Sequence, residues 1–207
     1  MIKSNLNFKL FFLIKVFVIY LIICFNSYAD DSKVDKSIVA IGSYDAMVKI
    51  KIFSSLTCPH CAYFHIKVVP EIKKKYVESG KVQLIFIDFP LDQAAFNASK
   101  LLHCLDEKKQ IVFLDTIYET QNVWTNGSSI DDINKNLKKI VKNLGISSVQ
   151  FDKCLIDEVI SDKILNDRIE ANKKYSINST PTIIINEKKL EGSVSFKNIK
   201  KKIEKLI

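Results

Sequence analysis

Two cysteines separated by two residues, Cys58 and Cys61, form the segment of this chain best suited to chemistry. Residues 47–53 alternate apolar and lysine side chains, which predicts a half-buried strand, and a helix is predicted to start at Cys58. In the first turn of a helix, unpaired backbone N–H groups point at the sulfur, and the imidazole of His60 can add positive charge or a donor. Both effects favour the thiolate, the form that attacks a disulfide and the better leaving group.

The second cysteine of the pair has a different predicted role. Cys61 lies one helical turn further in, so it is shielded from an outside substrate but able to reach the sulfur of Cys58. That placement suits a resolving thiol. Two other interpretations stay open: a purely structural disulfide between Cys58 and Cys61, and a zinc site. A zinc site needs a second ligand pair at regular spacing, and His103-Cys104 does not supply one, so no metal is expected.

A second signal comes far downstream, at Thr180-Pro181. The apolar residues 182–185 that follow predict a strand, and a proline at the first position of a strand is unremarkable because it need not donate a hydrogen bond there. Combined with a strand that leads directly into Cys58-X-X-Cys61, this proline suggests a loop beside the cysteine pair.

The elements that must position these residues follow a simple order. Strands are predicted at 47–53, 82–89 and 182–185, with short strands near 37–41 and 189–191. A helix is predicted at 58–79, ended by Gly80, with Pro70 expected to kink or break it. Helical periodicity continues in pieces near 92–106, 108–120, 129–144, 148–155 and 157–174, and a terminal helix begins at Phe196. The outer parts fit one α/β sheet, and the helical block fits an insertion.

This pattern resembles the DsbA-type members of the thioredoxin-fold superfamily over about residues 35–207. Cys58-Pro59-His60-Cys61 matches the active-site tetrapeptide of that family, and Thr180-Pro181 falls at its cis-proline loop. The resemblance implies a thioredoxin-like α/β fold with a central sheet and a large all-helical insertion. The implied divisions are a thioredoxin-like domain of residues 30–90 and 176–207 and an inserted helical domain of residues 91–175.

The resemblance also implies a protein thiol-disulfide oxidoreductase that introduces disulfide bonds into newly exported polypeptides. Cys58 is then the nucleophile and Cys61 the resolving thiol of a mixed-disulfide intermediate, with Pro59 and His60 tuning the thiolate. Thr180 and Pro181 are the implied substrate-binding residues, pairing with the substrate backbone in strand fashion. No cofactor is implied, a DsbB-like membrane protein is the implied reoxidant, and the protein is expected to be a monomer.

One position departs from the family. DsbA enzymes often bury a glutamate six residues before the first cysteine, and this chain has Ile52 there. Lys51 points to the other face of the strand and does not replace the carboxylate.

Two other functions of this fold are considered. A disulfide isomerase or reductase usually carries a dimerisation domain ahead of the thioredoxin fold, and residues 30–45 are too few for one. A non-catalytic peptide-binding or chaperone module would not need an intact Cys58-X-X-Cys61.

Composition narrows the class of protein further. Hydrophobic residues make up 47% of the 207 residues, so the chain can bury a core rather than remain disordered. Of the 31 lysines and arginines, only Arg168 is arginine, which argues against nucleic-acid binding despite a formal charge of +8.

Residues 1–29 have a basic start, an apolar segment and small residues at the −3 and −1 positions, Ser27 and Ala29, which predicts a secretory signal peptide cleaved after Ala29. An uncleaved membrane anchor is the alternative. Export places the protein in the periplasm, where disulfides persist.

Loss of residues 1–29 would remove Cys24 and leave four cysteines. With Cys58 and Cys61 assigned to each other, Cys104 and Cys154 are expected to form a structural disulfide, and two buried thiols are the alternative. Some DsbA-like proteins carry an additional disulfide in the helical domain. Two further residues receive simple interpretations: His65 is expected to be exposed on its helix, and Trp124 to pack from a loop.

Overall fold

The computed structural model describes residues 38–207, so the predicted signal peptide lies outside the described residues. A mixed sheet of five strands has the order β1-β3-β2-β4-β5. Strands β2 and β3 are parallel, and the other three pairs are antiparallel. The strands are β1 Val39–Ile41, β2 Val48–Ser54, β3 Val82–Asp88, β4 Thr182–Ile185 and β5 Lys188–Lys189. The predicted strands are therefore all present, with ends shifted by a few residues.

Strand β2 lies at the centre of the sheet because its alternating sequence suits that place. Val48, Ile50 and Ile52 are buried, with exposed fractions of 2% or less. Ile50 is aligned with Leu84 of β3 on one side and Ile185 of β4 on the other. Pairing on both sides fixes the position of β2 in the sheet. The cysteine pair begins four residues after the end of this strand.

Residues 59–77 wind continuously, so of the kink or break expected at Pro70 the break is absent. They comprise α1 Pro59–Tyr63, a π-helical turn Phe64–Val68, α2 Val69–Ile72 and a second π-helical turn Lys73–Val77. Pro70 lies just after the π-helical turn, where the winding changes to α2, and the N–H of the preceding Val69 still donates to the backbone oxygen of Phe64. The winding changes at the proline and the helix does not end. Gly80 takes a positive φ of 71° after it, as the sequence predicted.

Helices fill the chain between β3 and β4, and one more follows β5. They are α3 Gln93–Cys104, α4 Glu107–Glu119, α5 Gln121–Trp124, α6 Ile130–Asn143, α7 Ser148–Leu155, α8 Glu158–Tyr175 and α9 Phe196–Ile203. Within residues 38–207 no helix has the length and apolar character needed to cross a membrane. The thioredoxin-like fold with an all-helical insertion is confirmed.

The short helix α5 was not predicted, since Trp124 was assigned to a loop. Trp124 is fully buried, and its indole Nε1 donates to the backbone oxygen of Ile117 at 2.8 Å. The same apolar cluster contains Cys58 and Cys61. The helical block is thus packed directly beneath the cysteine pair.

The structure bonds Cys104 to Cys154 across a separation of 50 residues, with their Cα atoms 6.1 Å apart. The bond joins the last residue of α3 to α7. Lys100, on the same helix α3, donates from its ammonium to the backbone oxygen of Leu155 at 2.7 Å. Two independent contacts therefore fasten α7 to α3.

The hairpin between β4 and β5 is held to the rest of the sheet by Glu187. Its carboxylate pairs with Lys51 of β2 and Lys174 of α8 and accepts a hydrogen bond from Tyr175. Hydrogen bonds from Lys174, Lys51 and Tyr175 lower the pKa of Glu187 from 4.5 to about 2. The charged carboxylate therefore stabilises the folded state at neutral pH.

Glu187→Gln is expected to remove a contribution of about 1 kcal/mol, a value that allows for solvent screening of a half-exposed side chain. Because the pKa is lower in the folded state, this contribution is complete above about pH 4.5 and disappears as the pH falls toward 2. Urea unfolding at pH 7 and at pH 2.5 measures the difference between wild type and variant. A difference that is equally large at both pH values would contradict the assignment.

Candidate active site

Cys58 occupies the N-cap position of the helix that begins at Pro59, with no capping hydrogen bond from its side chain. Its backbone is extended, with φ −75° and ψ 119°, and its N–H donates to the backbone oxygen of Ser55. The Sγ atom lies 3.4 Å from the backbone oxygen of Thr180 and donates to it. Cys58 is a free thiol with an exposed fraction of 8%. The sulfur thus lies between a helix N-terminus and the loop that precedes β4.

Cys61 is the inner member of the pair, with an exposed fraction of 1%. Burial raises the pKa of its thiol from 9.0 to about 12, and the charge of Cys58 adds to that effect. The Thr180 side chain and the Ser55 backbone lower the pKa of Cys61 by smaller amounts. The group therefore carries its proton at neutral pH and is closed to external reagents, as a resolving thiol should be.

The Thr180–Pro181 peptide bond is cis. Thr180 is buried, and its carbonyl group is directed at the sulfur of Cys58. Thr182 begins β4, which is paired with β2, so the sheet brings this loop to the cysteine pair. Two segments more than 100 residues apart in sequence thereby meet at one sulfur atom.

Pro59 and His60 are both exposed, and both lie in the first turn of α1. They form the surface beside the sulfur of Cys58. His60 is therefore placed where its imidazole can face an incoming substrate.

Gln121 is a positioning residue that sequence reasoning missed. Its side-chain nitrogen donates to the backbone oxygens of Leu56 at 2.8 Å and Cys58 at 3.2 Å. Gln121 begins α5, so the helical block holds the loop that carries Cys58. No local pattern could have indicated this, since the residue is one of many polar side chains in helical sequence.

The loop before Cys58 has a second support from the start of the helical block. The hydroxyl of Thr57 donates to the carboxylate of Asp92 at 2.6 Å, while the other oxygen of Asp92 caps α3 by accepting from the N–H of Ala95. Asp92 is therefore the N-cap of α3, and the same side chain also restrains the loop before Cys58.

His65 is buried, so the expectation that it is exposed is wrong. Its Nε2 lies 2.7 Å from the carboxylate of Asp115 on α4, and its ring centroid is 4.7 Å from that of Tyr118. Burial raises the pKa of Tyr118 well above its usual value, and the charge of Cys61 is the next largest cause. Helix α4 covers the face of residues 59–77 that carries His65, which sequence spacing alone does not show.

Position 52 is a buried isoleucine, and the buried carboxylate at this end of the sheet is Asp88. Asp88 is aligned with Ser54 across β2 and β3. Its two oxygens accept from the hydroxyl of Ser99 and contact Nε2 of His103 at 2.7 Å. Both partners belong to α3, so this carboxylate links the end of the sheet to the helical block.

The described residues offer little to a metal ion. Between residues 38 and 207 no three His, Cys, Asp or Glu side chains are grouped as ligands. His103 contacts Asp88, and Cys104 is bonded to Cys154, so the pair considered for zinc is engaged elsewhere.

Comparison with known proteins places this geometry in a family. A family model described as thioredoxin matches residues 33–205. The crystal structure of Wolbachia pipientis α-DsbA1 is 31% identical, covers 82% of this chain and 90% of that chain, and superposes with a TM-score of 0.75. The chain belongs to the DsbA family of thioredoxin-fold proteins. The resemblance inferred from the tetrapeptide, the proline loop and the helical block is confirmed.

Relatives of this DsbA-family chain carry related names. A protein of Rickettsia bellii named a protein-disulfide oxidoreductase is 27% identical over 176 residues, which is 84% of this chain and 66% of that protein. Disulfide bond formation protein D of Bacillus subtilis is 25% identical over 173 residues, 80% of this chain and 75% of that protein. The chain spans just under two thirds of the length of the rickettsial relative.

Proposed function

We propose that this protein is an exported thiol oxidase that transfers its Cys58–Cys61 disulfide to other polypeptides. The observation that carries the proposal is the asymmetry of the pair. Cys58 caps a helix beside the cis Thr180–Pro181 loop, whereas Cys61 is buried and its pKa is raised to about 12. The names of the relatives support a disulfide oxidoreductase.

The reaction needs both cysteines in fixed roles. A substrate thiolate attacks the sulfur of Cys58 in the disulfide form, a bond forms between substrate and Cys58, and the bond to Cys61 breaks. Cys61 leaves with the electron pair and takes up a proton, as its raised pKa favours. A second substrate thiolate then attacks the substrate sulfur and releases Cys58. The substrate is oxidised to a disulfide, and the protein is reduced to a dithiol.

The loop at Thr180 supplies the substrate site in this proposal. Its backbone precedes β4 and faces Cys58, so an extended substrate peptide can pair with it in strand fashion. The exposed side chains of Pro59 and His60 border the same site. Backbone pairing of this kind accepts many sequences, which suits polypeptides as substrates.

Export and reoxidation complete the proposal. The basic and apolar pattern of residues 1–29 supports secretion to the periplasm. A dithiol left after each turnover requires an oxidant, and a DsbB-like membrane protein is the proposed one. We propose that the protein acts as a monomer, because its cysteine pair and proline loop come from a single chain.

The test is oxidation of a reduced dithiol peptide by the disulfide form of the protein. Cys58→Ser is expected to lower the initial rate at least about a thousandfold, because without Cys58 there is no Cys58–Cys61 disulfide for the substrate thiolate to attack. Equal rates for wild type and Cys58→Ser would overturn the proposal. Faster rearrangement of a scrambled disulfide protein than oxidation of the dithiol peptide would favour an isomerase instead.

A further inference from the structure

The end of the sheet opposite the active site contains a cavity of about 320 Å³ between the β4–β5 hairpin and α9. Ile185, Leu190 and Leu206 line it, and Lys188, Lys202 and Lys205 surround them. Ile185 is aligned with Ile50 near the start of β2. Because Cys58 follows the other end of that strand, the cavity is about 20 Å from the active site along the strand direction.

Three lysines of this cavity have no counter-ion. Across residues 38–207, no carboxylate lies within ion-pair distance of Lys188, Lys202 or Lys205. The carboxylates next to Lys188 and Lys205 in sequence, Glu187 and Glu204, are already occupied. Glu187 pairs with Lys51 and Lys174, and Glu204 pairs with Lys75 and Lys200. The three ammonium groups therefore leave a net positive charge around an apolar cavity.

Exposed apolar side chains continue from the cavity across this end of the molecule. Met47 is 66% exposed, Tyr44 58% and Leu206 41%. Asn186, which lines the cavity, donates to the backbone oxygen of Met47, so the loop that carries Tyr44 and Met47 borders the cavity. Asp45 is the carboxylate between Tyr44 and Met47. We define the basal surface as Tyr44, Met47, Lys188, Lys202, Lys205 and Leu206.

We propose that the basal surface docks on the face of a bilayer that contains anionic phospholipid. Lysine side chains extend their ammonium groups to lipid phosphates while their stems lie on apolar surface. Met47 and Leu206 can enter the boundary of the acyl chains, and tyrosine favours the headgroup level. An acidic peptide would need the positive charge but not the exposed apolar side chains. Docking in this way leaves Cys58 directed away from the bilayer.

Sedimentation with lipid vesicles tests the proposal. The protein is mixed with vesicles of phosphatidylcholine containing about 30% phosphatidylglycerol, or with phosphatidylcholine alone, since anionic lipid gives the bilayer a negative surface potential. The combined variant Lys188→Gln, Lys202→Gln and Lys205→Gln is expected to bind the anionic vesicles at least about tenfold more weakly, since each lysine near the surface contributes separately. Wild-type protein should bind vesicles of phosphatidylcholine alone as weakly as the triple variant binds the anionic vesicles.

A matched control separates this surface from general charge. Lys108, Lys139 and Lys142 are exposed lysines of the helical block, and their combined change to glutamine alters the net charge by the same amount. That control should bind as wild type does. Leu206→Ser should weaken binding without changing charge. The proposal is overturned if wild type does not prefer anionic vesicles, or if the control loses as much binding as the basal variant.

Discussion

Cys61→Ser is expected to trap the protein in a mixed disulfide with a peptide. The suitable probe is a peptide whose single cysteine carries an aromatic thiol as a disulfide. Cys58 attacks the peptide sulfur, a bond forms between peptide and protein, and the aromatic thiolate leaves. In wild type, Cys61 then attacks Cys58, the Cys58–Cys61 bond forms, and the peptide is released as a thiol. The variant cannot carry out this second step.

The effect on the lifetime of the adduct is large because Cys61 is held one helical turn from Cys58. Groups positioned within one molecule react as if present at about 10⁵ M or more, so the adduct of the variant should last at least about a thousand times longer. Mass spectrometry at successive times after mixing measures the lifetime of this adduct. Within the described residues Cys104 and Cys154 are bonded to each other, so they do not replace the missing thiol.

Cys58→Ser is the matched control for this experiment. It keeps Cys61, which is 1% exposed and whose pKa is raised chiefly by burial, so adduct formation should be negligible at pH 7. An adduct of Cys61→Ser that decays as fast as that of wild type would show that another group resolves it. Efficient adduct formation by Cys58→Ser would show that the two roles are reversed.

Removal of the Cys104–Cys154 bond is expected to cost about 4 kcal/mol in the free energy of unfolding, the value for a loop of about 50 residues in the chain-entropy model. The bond joins α3 to α7, and without it α7 keeps the contact of Lys100 with Leu155 and the packing of Phe151 in the buried cluster that contains Leu101 and Leu102. The double variant Cys104→Ala with Cys154→Ala removes the bond without leaving an unpaired thiol. Urea denaturation measures the change.

Wild-type protein with all cysteines reduced is the control, because it keeps both sulfur atoms and lacks only the bond. It should unfold at a midpoint close to that of the double variant. If both retain the midpoint of protein in which only Cys58 and Cys61 are reduced, the bond contributes nothing to stability. If the double variant alone is weakened, the cause is lost packing and not the missing bond.

Local pattern was sufficient wherever a residue's role depended on its immediate neighbours. The alternation in β2, the apolar run of β4 and the glycine after the active-site helix indicate their structures because side-chain periodicity and backbone preference act over a few residues. Pro70 shows the limit of such reasoning. A proline breaks an isolated helix because it has no backbone N–H to donate. Here the missing donor coincides with a change in winding between α and π turns, and the helix continues.

The burial of His65 and the role of Gln121 depended on packing between distant segments. His65 meets Asp115 across 50 residues, and Gln121 meets Leu56 across 65 residues. Neither Asp115 nor Gln121 stands out in the sequence, since aspartate and glutamine are common on helical surfaces. Asp88 is similar, because its burial follows from the way α3 crosses the end of β3.

The sequence alone determined that this chain carries a cysteine pair at a strand–helix junction, a proline before a later strand and a helical block between them. These features are set by residue type and spacing, and they sufficed to indicate the family. Only the tertiary structure decided that the carbonyl of Thr180 faces Cys58 and that Cys61 is buried with a raised pKa. Desolvation and hydrogen bonds depend on which groups surround an atom, and those groups come from segments that only the folded chain brings together.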